Sequence, residues 1–166
     1  MINEGINVND ISLIVELFEE NRNCGNAVSM QKYMRDQFPF LGIKTPERKQ
    51  LLKRFYEETD ILKRDFLPDF VLALWDKAER EYQYAALSYI EKSLKKLHKE
   101  DLPLMEQLIT IKSWWDTVDV LAPKPIGKVA AGNPEVIDEK IEGWAYGEHL
   151  WLRRSAILFQ LKYKEK

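Results

Sequence analysis

The segment Lys112-Ser113-Trp114-Trp115-Asp116-Thr117-Val118-Asp119 holds the residue types best suited to chemistry in this chain. Trp115 and Asp119 are four residues apart, so on a helix they share a face one turn from each other. An aromatic face beside a carboxylate is a receptor for a cation, because the ring quadrupole and the negative charge both attract one. The adjacent Trp114 points roughly 100° away and is able to pack in the core. The plain alternative has both tryptophans in the core and Asp119 in a salt bridge with a lysine or arginine. Asp116 is better explained as the capping partner of Ser113, three residues earlier. A second segment, Trp151-Leu152-Arg153-Arg154-Ser155-Ala156-Ile157-Leu158, places two arginines at the start of a largely apolar helix. A guanidinium there suits a phosphate or the Asp119 carboxylate equally well, and the sequence leaves both open.

Other chemistries lack their signatures. His98 and His149 are far apart and have no Cys or His neighbours at metal-ligand spacing. No nucleophile elbow, P-loop or dinucleotide fingerprint is present. Cys24, within Asn23-Cys24-Gly25-Asn26, reads as a loop thiol rather than a nucleophile. As the single cysteine it makes no internal disulfide, which points to a reducing compartment.

The elements that must position these residues read as helical throughout. Glycine is sparse and no Asn-Gly or Asp-Gly hairpin turn occurs. Ile11, Ile14, Val15 and Phe18 fit one helical face. Thr45-Pro46-Glu47 predicts a helix start with Thr45 as cap, Pro46 at the first position and Glu47 at the positive dipole end, running to about Tyr56. Further helices are predicted over Leu67–Trp75, from Glu79 to about Leu97, and over Leu102–Ile111. In the second of these Tyr82, Ala86, Tyr89 and Ile90 form a buried stripe. Pro123 and Pro125 are expected to end or kink the helix that begins after Ser113. Asn133-Pro134-Glu135 starts another, reaching Trp144, and the last runs from about Leu150 to Tyr163. Antiparallel helix pairs at a period of roughly 35 to 40 residues are typical of HEAT-like repeats, which stack into a solenoid with a concave face.

The 166 residues suit one domain, and 45% hydrophobic with 31% charged residues is the balance of a folded globular protein, not a disordered one. No long apolar run predicts a membrane span. Met1 to Asp10 lacks the basic and apolar regions of a signal peptide, so a cytoplasmic location is expected. A net charge of −2 speaks mildly against a nucleic-acid partner, yet Gln31 to Arg64 carries nine Lys/Arg against five Asp/Glu. That local excess reads as a modest basic face or as ordinary solvated helix surface.

Five ordered blocks together resemble the AlkD family of DNA alkylation-repair glycosylases. They are Tyr33-Met34-Arg35 with Phe38 through Arg48, Leu74-Trp75, Glu79 through Gln83, Lys112 through Asp119, and Trp151 through Gln160. The resemblance covers about Met30 to Tyr163. It implies an all-α HEAT-like solenoid, here a single domain over residues 1–166, whose concave face grips duplex DNA. It implies excision of cationic alkylpurines such as 3-methyladenine and 7-methylguanine, without a base pocket and without metal or cofactor. Asp119 matches the family's catalytic acid, Trp115 its aromatic partner, Arg154 its arginine and Tyr33 its tyrosine near the DNA. Lys44, Arg48, Lys112 and Arg153 are the further candidates for DNA contact. In the family a further helical region follows with a second tryptophan; here those C-terminal repeats are expected to be absent. A monomer is expected, with no membrane partner. The competing expectation is a catalytically weak HEAT-repeat module that binds DNA or protein.

Overall fold

The computed structural model describes residues 8–165, and among them every regular element is helical and none is a strand. The reading of the N-terminus as free of a signal peptide falls largely on residues 1–7, outside the described ones. The helices are α1 (Val8–Glu19), α2 (Cys24–Tyr33), α3 (Thr45–Thr59), α4 (Pro68–Trp75), α5 (Arg80–Lys92), α6 (Leu102–Thr110), α7 (Trp115–Leu121), α8 (Gly127–Gly132), α9 (Glu142–Tyr146) and α10 (Leu150–Leu158). They group into two compact units, one ending at Tyr89 and one beginning at Ile90.

In the first unit α1 buries Ile14, Leu17 and Phe18, with Ile11 and Val15 half-buried, so the expected apolar face is the packed one. Phe18 stacks on Tyr82 of α5 at 5.4 Å. Tyr82, Ala86, Tyr89 and Ile90 are all buried, as the period predicts. The start of α3 differs from expectation. The Arg48 N–H bonds to the Lys44 carbonyl at 2.9 Å, which makes Lys44 the cap residue and Thr45 the first helical one. No side chain caps this end, because a capping hydroxyl acts only from the residue ahead of the first turn. Pro46 sits in that turn, where its missing N–H costs nothing. The helix runs on to Thr59 and stops where Asp60 turns left-handed, at φ 52°.

Helix α5 carries buried polar groups that tie down the segments around it. The Gln83 side-chain amide donates to the carbonyls of Leu74, Trp75 and Lys77 at 3.2, 3.3 and 2.9 Å, closing the C-terminus of α4. The Tyr89 hydroxyl accepts from the Leu67 N–H at 2.9 Å, at the N-terminus of the same helix. Glu81, fully buried, accepts from three consecutive N–H groups: Leu41 at 2.8, Gly42 at 2.8 and Ile43 at 3.1 Å. Gly42 is required in that loop. Its φ is +97°, and a Cβ there would lie 1.8 Å from the Asn23 carbonyl oxygen. Beside it the Arg80 guanidinium lies over the Phe38 ring at 3.6 Å, and the Arg80 N–H bonds to the Pro39 carbonyl at 2.9 Å.

The second unit begins with the end of α5, which stops at Lys92 and passes into a short 3₁₀ turn, Leu94–Lys96, rather than running to Leu97. Helix α6 buries Leu102, Leu104, Met105, Leu108 and Ile109. Lys112, at φ 55°, breaks the chain between α6 and α7. Of the two outcomes expected at Pro123 and Pro125, an end or a kink, the helix after Asp119 does not end. The chain winds through a π-helical segment, Ala122–Ile126, directly into α8. Proline lacks an N–H and clashes with the carbonyl four residues back, and a wider turn relieves both. A second π segment, Ile137–Ile141, lies within the helical stretch 135–146 that Asn133-Pro134-Glu135 predicts. Helix α10 ends at Leu158 and a 3₁₀ stretch, Leu161–Glu165, follows in place of the continuous helix expected to Tyr163. The Tyr163 hydroxyl anchors that stretch by donating to the Gly127 carbonyl at 2.8 Å.

Glu81→Ala strips acceptors from three buried N–H groups, each costing about 1 to 3 kcal/mol when left unpaired. The expected loss is about 3 kcal/mol or more, read from the urea midpoint. Gly42→Ala is expected to destabilise by about 2 kcal/mol or more through the same loop. A loss below about 1 kcal/mol in both would refute this account of the loop.

Candidate active site

Helix α7 begins at Trp115, and Trp114 before it is extended, with φ −160° and ψ 168°. The expected capping box between Ser113 and Asp116 does not form. The Ser113 hydroxyl turns back to the Ile109 carbonyl at the end of α6, and Asp116 accepts from the N–H of the next residue, Thr117, at 2.9 Å. The left-handed Lys112 sets Ser113 toward α6 rather than over the first turn of α7. The helix is held instead by burial of Thr117, Val118 and Leu121, and by the Trp114 ring against Trp151 of α10 at 5.9 Å with a 54° tilt. Ser155, fully buried, bonds to the Trp151 carbonyl at 2.8 Å and presents a small residue where α10 meets its neighbours.

This packing places the other face of α7 outward. Trp115 is 39% exposed, so of the two tryptophans the first packs inward and the second does not. One turn on, Asp119 meets Arg154 of α10. The Arg154 Nε donates to Oδ1 at 2.6 Å and Nη2 to Oδ2 at 2.7 Å. Arg154 thus pairs with the carboxylate, one of the two partners the sequence leaves open. The hydrogen bond with Asp119 raises the guanidinium above its usual pKa, with burial opposing. A bidentate fork of this kind fixes the plane and rotamer of the carboxylate while leaving its outer lone pairs toward solvent. Arg153 is exposed and takes no part in the fork.

The remaining sequence candidates are placed individually. Tyr33, at the end of α2, is 73% exposed, and Lys44 is exposed at the start of α3. Arg48 is half-buried with its guanidinium 4.7 Å from the Tyr84 ring centre, and burial lowers its pKa. Lys112 is half-buried in the left-handed junction. Ion pairs lower the positive excess between Gln31 and Arg64 by one only, through Asp10 from outside the stretch, since Glu58 and Asp60 are already counted in it. Arg54 pairs with Glu58 at 2.8 Å, Lys63 with Asp60 at 3.2 Å and Arg64 with Asp10 at 3.0 Å. Sequence reasoning missed the Trp114–Trp151 contact and the role of Ser155. The four-residue spacing of Trp151 and Ser155 was the available signal. Among the described residues no three His, Cys, Asp or Glu side chains gather at metal-binding distance, and no helix is long and apolar enough to cross a membrane.

Comparison with known proteins bears on this arrangement. The family described as "DNA alkylation repair enzyme" matches the chain over residues 14–166. A solved structure described as "Predicted DNA alkylation repair enzyme from Enterococcus faecalis" superposes with a TM-score of 0.72 at 30% sequence identity. That match covers 87% of this chain and 67% of the other. No curated protein matches the sequence.

Both members of the Asp119–Arg154 pair are more than a third exposed, so solvent screens the attraction. A double-mutant cycle with Asp119→Asn and Arg154→Gln is expected to give a coupling of about 1 kcal/mol or less in urea unfolding. A coupling above about 3 kcal/mol would make the pair a structural brace instead.

Proposed function

The chain belongs to the DNA alkylation repair enzyme family, and on that footing we propose that it is a DNA glycosylase. It removes cationic alkylated purines, 3-methyladenine and 7-methylguanine, from duplex DNA, with Asp119 as the catalytic carboxylate. The observation that carries this reading is the Asp119 carboxylate, oriented by the Arg154 fork one turn from an exposed Trp115.

The chemistry follows from the charge of the substrate. A purine alkylated at N3 or N7 is already cationic, so it leaves with the electron pair of the C1′–N bond and becomes neutral without protonation. Oxocarbenium character develops on the sugar as that bond breaks. Asp119 stabilises this charge, and an outer lone pair accepts the proton of the water that adds to C1′. Arg154 positions the carboxylate through its two hydrogen bonds. Trp115 offers its ring face to the cationic nucleotide, worth about 1 to 2 kcal/mol once desolvated. Tyr33, Lys44, Arg48, Lys112 and Arg153 contact the duplex backbone and set its register. The helices form a HEAT-like solenoid whose concave side holds the DNA. Selection rests on the lability and charge of the lesion, with neither metal nor cofactor required.

Release of free 7-methylguanine from alkylated duplex DNA is expected to fall about a hundredfold or more in Asp119→Asn. In Trp115→Ala it is expected to fall about tenfold. Full activity in Asp119→Asn would sink the assignment. Absence of release from the folded wild-type chain, with duplex binding that weakens as salt rises from about 50 to 200 mM, would point to a binding module without turnover.

A further inference from the structure

The second unit holds a groove of about 910 Å³ that none of Trp115, Asp119 and Arg154 lines. Its rim carries Lys95, Lys124, Lys128 and Lys162 against one acid, Glu91, a local excess of three positive charges in a chain whose net charge is −2. These lysines come from three places in the chain: the 3₁₀ turn Leu94–Lys96, the continuous rod of the π segment Ala122–Ile126 and α8, which carries both Lys124 and Lys128, and the final 3₁₀ stretch. A solvated helix face collects like charges from one element. Convergence of three separate stretches on one concavity is instead what focuses a positive potential. Lys124 is paired with Glu91 at 3.0 Å, whereas Lys95 and Lys128 are exposed and have no carboxylate partner among the described residues. Leu94, Pro123 and Val129 supply an apolar floor, and at Gly132 an added Cβ would meet nothing within 4 Å, so the approach to the backbone is open.

We propose that this groove binds the phosphodiester backbone of a nucleic-acid strand, at a site separate from Asp119. Several compact ammonium groups lining one concavity suit successive phosphates. The apolar floor suits the sugars between them, which an acidic peptide or a free phosphate would leave unused. Binding here adds sequence-independent affinity and does not depend on the carboxylate chemistry.

The test is the salt dependence of affinity for long undamaged duplex DNA, comparing wild type with Lys95→Gln/Lys128→Gln. Both lysines are exposed, and circular dichroism confirms that the variant is folded. Each lost phosphate contact lowers the slope of log K against log salt by about 0.9, so a drop of about 1 to 2 is expected. The slope is read on undamaged DNA and requires no turnover, so failure of the glycosylase reading leaves this result intact. An unchanged slope in the lysine variant would overturn the proposal. So would displacement of DNA by polyglutamate as effectively as by competing DNA, which would assign the groove to an acidic protein surface. Equal displacement by inorganic phosphate would reduce it to a single-anion site and overturn it as well.

Discussion

A buried carboxylate with three backbone N–H groups aimed at it is the constraint around which the first unit is arranged. Among the described residues no basic side chain bonds to the Glu81 oxygens; Leu41, Gly42 and Ile43 supply the donors. Taking a carboxylate out of water is expensive unless its lone pairs are filled, and here the loop fills them. The converse is equally binding. Without Glu81 the loop between α2 and α3 has buried N–H groups and no partner for them. That loop delivers Lys44 to the start of α3 and Arg48 to Tyr84, so surface positions well removed in sequence depend on one internal anion. Gly42 completes the arrangement because only a residue without Cβ passes so close to Asn23.

The same helix shows how a mostly helical chain disposes of its unsatisfied ends. α4 has only two turns and no side chain of its own capping its first turn. Its first and last backbone groups are met from outside, by Tyr89 and Gln83 of α5. Short helices are marginal alone, and tertiary partners of this kind replace local capping. The cost is that α5 must bury Glu81, Gln83 and the Tyr89 hydroxyl, which a purely apolar stripe would not predict.

That contrast explains what was legible in the sequence. Periodicity located the helices and the buried stripe of α5, since both are local consequences of a 3.6-residue repeat. The one-turn spacing of Trp115 and Asp119 was legible for the same reason. Capping was misread at Thr45 and Ser113. In each case the hydroxyl type was right, but its place relative to the first turn depended on a left-handed or proline-bearing neighbour. Asp119 was named as one of two partners for Arg154, but its pairing was beyond local reading, because the two lie 35 residues apart and only the packing of α10 on α7 brings them together. Glu81 was visible as part of one block of the family resemblance, yet nothing local distinguished a buried anion from a surface one. The blocks that carry the family likeness thus mix two kinds of residue: some that touch solvent at the candidate site, and some that hold loops in place.

The π segment at Ala122–Ile126 has a consequence for how the second unit is wired. A π turn contains one more residue than the α turn it replaces, so it acts as an insertion absorbed without breaking the helix. Residues after it are rotated about the axis relative to an unbroken α-helix. The outward face of α7, with Trp115 and Asp119, and the outward face of α8, with Lys128, are therefore decoupled in phase although one continuous rod carries both. A single-residue deletion in this segment would return the rod to regular α geometry and rotate every residue of α8 about the axis by roughly 100°, including the backbone carbonyl of Gly127 that Tyr163 now holds. The prolines make that segment a phase shifter in the rod, and its length, more than its chemistry, decides which way the second half faces.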